Sequence, residues 1–407
     1  HEAIHLLLEA GAEIAPQESG ASPLFHVAEQ AGHPDILELL RESELKQISH
    51  AQARQRLQTL GIAFTPADFL AHLAAGENEI VTLFLSAGLS PETTDSTGRP
   101  AILLAVERGH ARIIRTLLEA GANIDAAAKT RTHIPGLSGA TALHETTAQG
   151  NLEILTLLLE AGANPNTQNA ELSTPLLAAA NSQNPREAHG AIIRLLLQAG
   201  ADPEMPDLRG TSPLMAAAAN NHLPAVRALL KGEANPNNTS PKAKSWTPSH
   251  YAAHKGHTKV LRALLKAGAN PAAVEHQGFD ALMLAAQQGH YAAARILLEN
   301  GANPKAANHA QETALFLAAQ AGNARLCEIL LAHGATLEAP DLKGHTPLAA
   351  AILESSLETA QFLSNAGADW LMVDTYGVDI HTLASQAGEP FEQIYAATLA
   401  LRELENQ

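Results

Sequence analysis

The chain opens on His1, Glu2, Ala3, Ile4 and His5, an H-E-x-x-H string. On a helix this spacing sets two imidazoles one turn apart with a carboxylate between them, the arrangement that holds a catalytic zinc. Such a site also needs a third ligand and a walled cleft, and no neighbouring stretch supplies either. Other groups with chemical potential are scattered. There are 20 histidines, but His254 and His257 are interrupted by Gly256, which spoils a helical ligand pair. The single cysteine, Cys327, lies in a helical run and reads as a small buried residue. No Ser/His/Asp order, paired-carboxylate motif or Gly-rich phosphate loop stands out. No catalytic residue, cofactor or metal is expected, so the chain reads as a non-enzyme.

The composition agrees. The 407 residues are 46% hydrophobic but only 3% aromatic, with Ala and Leu dominant. That suits close-packed helices better than sheets. A net charge of −16 argues against general nucleic-acid binding and against attraction to an anionic membrane. One cysteine permits no intrachain disulfide, and a reducing compartment fits. No apolar run is long enough to span a bilayer and no signal peptide is visible. The expected location is cytoplasmic.

The elements that position these residues are repeats. A Thr-Pro-Leu-like triplet followed by small residues begins at Ser22, Thr65, Arg99, Thr141, Thr174, Ser212, Thr247, Asp280, Thr313, Thr346 and Asp379. The last four steps are 33 residues each. A Leu-Leu pair ending in Gly recurs at Gly11, Gly121, Gly162, Gly200, Gly268, Gly301, Gly334 and Gly367. Each unit reads as two short helices. Thr caps the first and Pro suits its opening turn. Gly256 or Gly289 turns the chain with positive φ, and Val260, Leu261, Leu264 and Leu265 form the apolar stripe of a second helix. One unit cannot cover its own apolar side, so stacking must make the core.

The units "TPSHYAAHKGHTKVLRALLKAGANP" from Thr247 and "TALHETTAQGNLEILTLLLEAGANPN" from Thr141 resemble the ankyrin repeat family over nearly the whole chain. The Ala- and Leu-rich style looks like that of bacterial members. The resemblance implies an all-α solenoid of helix-turn-helix units joined by hairpin loops. Expected boundaries are 1–48 for N-terminal units with the first truncated, 49–62 for an inserted helical linker, 63–378 for the main array and 379–407 for a capping repeat. Aligned on the Gly markers, His1 and His5 fall on the outer face of a second helix whose first helix is missing. The array is therefore expected to continue upstream.

The family resemblance also gives the histidines a structural role. His33, His110, His257 and His290 follow the turn, while His144 and His250 stand in first helices; in both places the family uses them to bond neighbouring backbone. It further implies a protein partner held by loop tips and the concave face of the first helices. The segment 227–266 has eight Lys or Arg and one acid, Glu233, so an acidic partner is expected there. The expected contact residues are Lys244, Trp246, His254 and Lys255, with tip residues Arg209, Phe279, Lys343, His345 and Tyr376. Lys259, Arg262 and Lys266 are expected merely to solvate an outer helix face. The reading is of a monomeric protein-interaction scaffold. An enzyme on the same frame, or a spacer for domains outside the chain, are the alternatives. Purified protein is expected to carry no stoichiometric zinc by metal analysis and to cleave no generic peptidase substrate; zinc bound through His1 and His5 would overturn this.

Overall fold

The computed structural model describes residues 40, 41, 45, 48–128, 138–182, 187–240 and 245–405, with backbone alone at 187–188 and 401–405. The H-E-x-x-H string and His33 lie outside the described residues, as does Lys244. The chain divides into two compact bodies, 1–175 and 176–407. Among the described residues the structure is helical, with isolated bridges such as Val274 with Asp280 and Ala307 with Thr313 in place of strands.

In the first body, α1 (His50–Thr59) precedes three pairs: α2 (Pro66–Ala75) with α3 (Asn78–Ser86), α4 (Ala101–Arg108) with α5 (Ala111–Glu119), and α6 (Ala142–Gln149) with α7 (Leu152–Glu160). α8 (Pro175–Ala180) crosses the boundary. The second body continues with α9 (Glu187–Gln198), then α10 (Pro213–Ala219) with α11 (Leu223–Lys231), and α12 (Pro248–His254) with α13 (Thr258–Lys266). Next come α14 (Ala281–Gln287) with α15 (Tyr291–Glu299), and α16 (Ala314–Gln320) with α17 (Ala324–Ala332). The last pairs are α18 (Pro347–Leu353) with α19 (Leu357–Asn365), and α20 (Ile380–Ala387) with α21 (Glu389–Glu405).

Helices this short are marginal alone, since isolated helices below about 12 residues rarely persist in water. Caps and packing make them. Ser212, Thr247, Thr313 and Thr346 each accept from the backbone N–H three residues on, as do Asp280 and Asp379. Proline follows the cap at Pro213, Pro248 and Pro347, where its missing N–H costs nothing. The stripe predicted for α13 is seen: Val260, Leu261 and Leu264 are wholly buried, with Leu265 half-buried. Each fully buried Leu contributes about 2 kcal/mol. Within each body first helices pack on first helices and second on second, as α10, α12 and α14 do, and α11, α13 and α15.

The stretch 49–62, expected as an inserted linker, holds α1, whose Ser49 and Gln52 form a capping box. α1 packs on α3 in the same way that α3 packs on α5, the seat of a second helix. At the other end, α21 runs 17 residues, against nine in most second helices. It brings Phe391 and Ile394 into burial and sets Tyr395 against both Trp370 and His381. Trp370 donates its indole N–H to Ser364 Oγ at 3.0 Å.

Histidines bond across units in two patterns. At the start of second helices, His110 Nε2 reaches the Ala74 carbonyl, His257 that of Ala219 and His290 that of His254, at 3.1–3.2 Å. Gly256, at φ +69°, permits the last of these: a Cβ there would lie 2.8 Å from the His290 ring. In the second pattern, Thr247 backbone N–H donates to His250 Nδ1 at 3.1 Å, which leaves Nε2–H to donate to the Phe279 carbonyl at 3.1 Å. Thr141, His144 and Ser173 repeat this arrangement. This pair of bonds, one accepted at Nδ1 and one donated from Nε2, requires the neutral ring. Burial above all pushes the pKa of His144 and of His250 down.

Lowered folded pKa values mean that the unfolded chain binds more protons just below pH 6.5. The stability from His250 is thus present above pH 6.5 and lost as the pH falls. Asp280, a buried cap pushed up to about 6 by burial, works in the opposite sense. The unfolding midpoint is expected to fall between pH 7 and pH 5. His250→Ala should cost about 1–3 kcal/mol at pH 7 and flatten that slope, as read by thermal melts across the range.

Candidate binding face

The loops between units are built by one device. Asp207 Oδ1 accepts the N–H groups of Arg209 and Thr211 at 2.9 and 2.8 Å. Asn308 does so for Ala310 and Glu312, Asp341 for Lys343 and His345, and Asp374 for Tyr376 and Val378, at 2.8–2.9 Å. Glu275 takes the same part for Gln277 and Phe279. A side-chain oxygen thereby stands in for a backbone acceptor and closes the turn. The N–H of Val378 foremost, then that of Tyr376 and the nearby His345, hold the Asp374 carboxyl below the usual carboxylate range.

Neighbouring tips are also tied together. The N–H of His309 donates to the Gln277 carbonyl, that of Leu342 to Ala310, and that of Thr375 to Lys343, at 2.8–3.0 Å. Gly344, at φ +82°, allows this approach; a Cβ there would lie 2.9 Å from the Asp374 Cα. His345 rests between two carboxylates, 3.7 Å from Asp341 and 3.6 Å from Asp374. The row of tips is therefore a fixed edge of the second body.

Large apolar side chains stand on this edge. Leu208, Leu342 and Tyr376 are 57%, 65% and 78% exposed, one on each of three tips. Phe279, Leu342, Gln277, His309 and Glu312 line a cleft of about 460 Å3 between successive tips. Arg209 and Lys343 are exposed at their tips. Trp246 is half-buried rather than projecting: its ring meets those of Tyr251 and His254, with centroids 5.0 and 5.2 Å apart. Lys255 follows α12 as its cap and is exposed. The structure thus brings Phe279, Lys343, His345 and Tyr376 to one edge, with Arg209 at an earlier tip. His254 and Lys255 stand at the end of a first helix.

Sequence reasoning passed over the turn-building residues Asp207, Glu275, Asn308, Asp341 and Asp374, and it passed over Leu342. A signal existed: each of the five stands five residues before the cap of the following first helix. The chemistry elsewhere is quiet. Among the described residues no group of three or more His, Cys, Asp or Glu could hold a metal ion. Burial pushes the Cys327 thiol up to about 12, far from a reactive thiolate.

A family model described as ankyrin repeats (3 copies) matches residues 69–169, 148–240, 176–274, 232–308 and 282–374. An ankyrin repeat-containing protein of Treponema pallidum (strain Nichols) is 32% identical over 156 residues, which is 38% of this chain. The match spans half of that protein's length. The crystal structure of the human ASB11 ankyrin repeat domain is 26% identical, with a TM-score of 0.50 over 56% of this chain and 98% of that one.

If Asp341 builds its tip as described, Asp341→Ala leaves two N–H groups without their acceptor and costs about 1–2 kcal/mol. Hydrogen–deuterium exchange at Lys343 and His345 is expected to speed up, with the helices on either side unchanged.

Proposed function

Because the chain belongs to the ankyrin repeat family, we propose that it is a protein-interaction scaffold that holds its partner on loop tips and first helices. Ankyrin repeats generally mediate binding between proteins. The observation that carries the reading is the set of exposed apolar side chains, Leu208, Leu342 and Tyr376, on turns that are themselves rigidly bonded. Preorganised turns lose little freedom when a partner arrives, so more of the contact energy appears as affinity. Aromatic and basic side chains on such an edge are the usual carriers of that energy.

On this reading Phe279, Leu342 and Tyr376 supply the apolar contact. Arg209, Lys343 and His345 flank them, and Lys244, Trp246, His254 and Lys255 extend the contact towards an acidic part of the partner. Binding is by surface complementarity, with no catalysis and no cofactor. A monomeric scaffold in the cytoplasm fits the acidic, cysteine-poor composition. The residues 49–62 serve in this proposal as a second helix within the array, and 379–407 as a further unit whose second helix is long. No described helix is long and apolar enough to cross a membrane.

The test is affinity capture with the purified chain, compared with Leu342→Ser/Tyr376→Ser and with Lys255→Glu. All three side chains are exposed, so folding should survive. A partner retained by wild type is expected to be lost, at least about tenfold in affinity, with the tip double variant. A partner held equally well by all three proteins would overturn the tip assignment.

A further inference from the structure

A second charged surface lies on the second helices, away from the tips. α11 and α13 pack side by side. Between them runs a groove of about 550 Å3 lined by Leu223, Arg227, Leu230, Lys231, Lys259, Arg262, Ala263, Lys266 and Ala267. Five of these nine residues are cationic and none is acidic. All five cations are exposed, and none has an ion-pair partner among the described residues. The floor is apolar, made by Leu223, Leu230 and Ala263, which are half-buried.

Ordinary helix electrostatics accounts for only part of this. Lys231 and Lys266 stand in last turns, where the helix dipole favours them. Lys259 stands in the first turn of α13, where the dipole opposes a cation. Arg227 with Lys231, and Arg262 with Lys266, are like charges four residues apart, each pair costing a few tenths of a kcal/mol. The next second helix shows the usual alternative: Arg295 on α15 is paired with Glu299 at 3.6 Å. A merely solvated face would accept such carboxylates, and a chain of net charge −16 has many to offer. Here they are missing from the groove.

We propose that this groove is a second docking site, which takes an acidic peptide segment of a partner protein. Its carboxylates meet Arg227, Lys231, Lys259, Arg262 and Lys266, while interspersed apolar side chains lie on Leu223, Leu230 and Ala263. The net negative charge of the rest of the chain disfavours long polyanions such as nucleic acid, which must extend beyond the groove. A short acidic segment stays within the positive field. The surface is separate from the loop tips, and the proposal does not rest on the tip reading.

The test is fluorescence anisotropy with a labelled peptide of about fourteen residues, enough for roughly four helical turns, alternating Glu pairs with Leu. Saturable binding that weakens as salt is raised is expected. Lys231→Glu/Arg262→Glu is expected to weaken it at least about tenfold. Arg108→Glu/Lys305→Glu, an equal charge change at exposed positions elsewhere, should leave it unchanged. Circular dichroism and the melting midpoint confirm that each variant is folded. The proposal is overturned if the groove variant binds as wild type, or if the control variant loses binding equally. It is also overturned if a Gln-for-Glu peptide binds as well, or a labelled oligonucleotide of similar length binds more tightly. Self-association in sedimentation that the groove variant abolishes would likewise overturn it, by making a second copy the occupant.

Discussion

The apolar side of a single helix pair has nothing to cover it but the next pair. Most first helices run seven or eight residues and most second helices nine, too few to hold themselves together in water. Everything else in this chain follows from that dependence. The first helices are rich in Ala because neighbouring helices must lie close. The second helices carry Leu, Ile and Val because their stripe is the bulk of the core. The polar groups at helix ends are finished by side chains of the adjacent unit, as His290 finishes the end of α12.

This dependence makes histidine a structural residue here. His250 both completes its own helix cap and donates to the loop that leads into the next unit. Neutral imidazole carries one donor and one acceptor on opposite sides of a small ring, which is the pair of bonds this position needs. The same geometry explains why twenty histidines in an acidic chain need not point to metal chemistry.

Much of the architecture was legible because repetition multiplies weak local signals. One Thr-Pro-Leu triplet says little, but its return, every 33 residues from Thr247 to Asp379, with Gly after Leu-Leu, sets helix limits and core stripes together. The places where reading fell short are those where geometry depends on a neighbour. Trp246 looks like a tip residue by spacing, yet Tyr251 and His254 draw half of it into packing. The helix at 50–59 has no repeat signature, and only its packing on α3 shows which seat it fills. The cationic residues of α11 and α13 look like ordinary solvated positions singly. Only side-by-side packing joins them across one groove.

The tip turns have one more consequence. In each, the Asp, Asn or Glu at the first position holds the backbone, and from Gln277 to Thr375 the hydrogen bonds that join successive tips run between main-chain atoms. Whereas His276 after Glu275 meets Ser245 Oγ at 3.1 Å, in the last two turns the residues after the first position, Leu342 and Lys343 or Thr375 and Tyr376, make no side-chain hydrogen bond or ion pair among the described residues. They are free letters printed at a constant pitch along a fixed line. A sequence could rewrite them one at a time, and so acquire a new partner, without relearning how to fold.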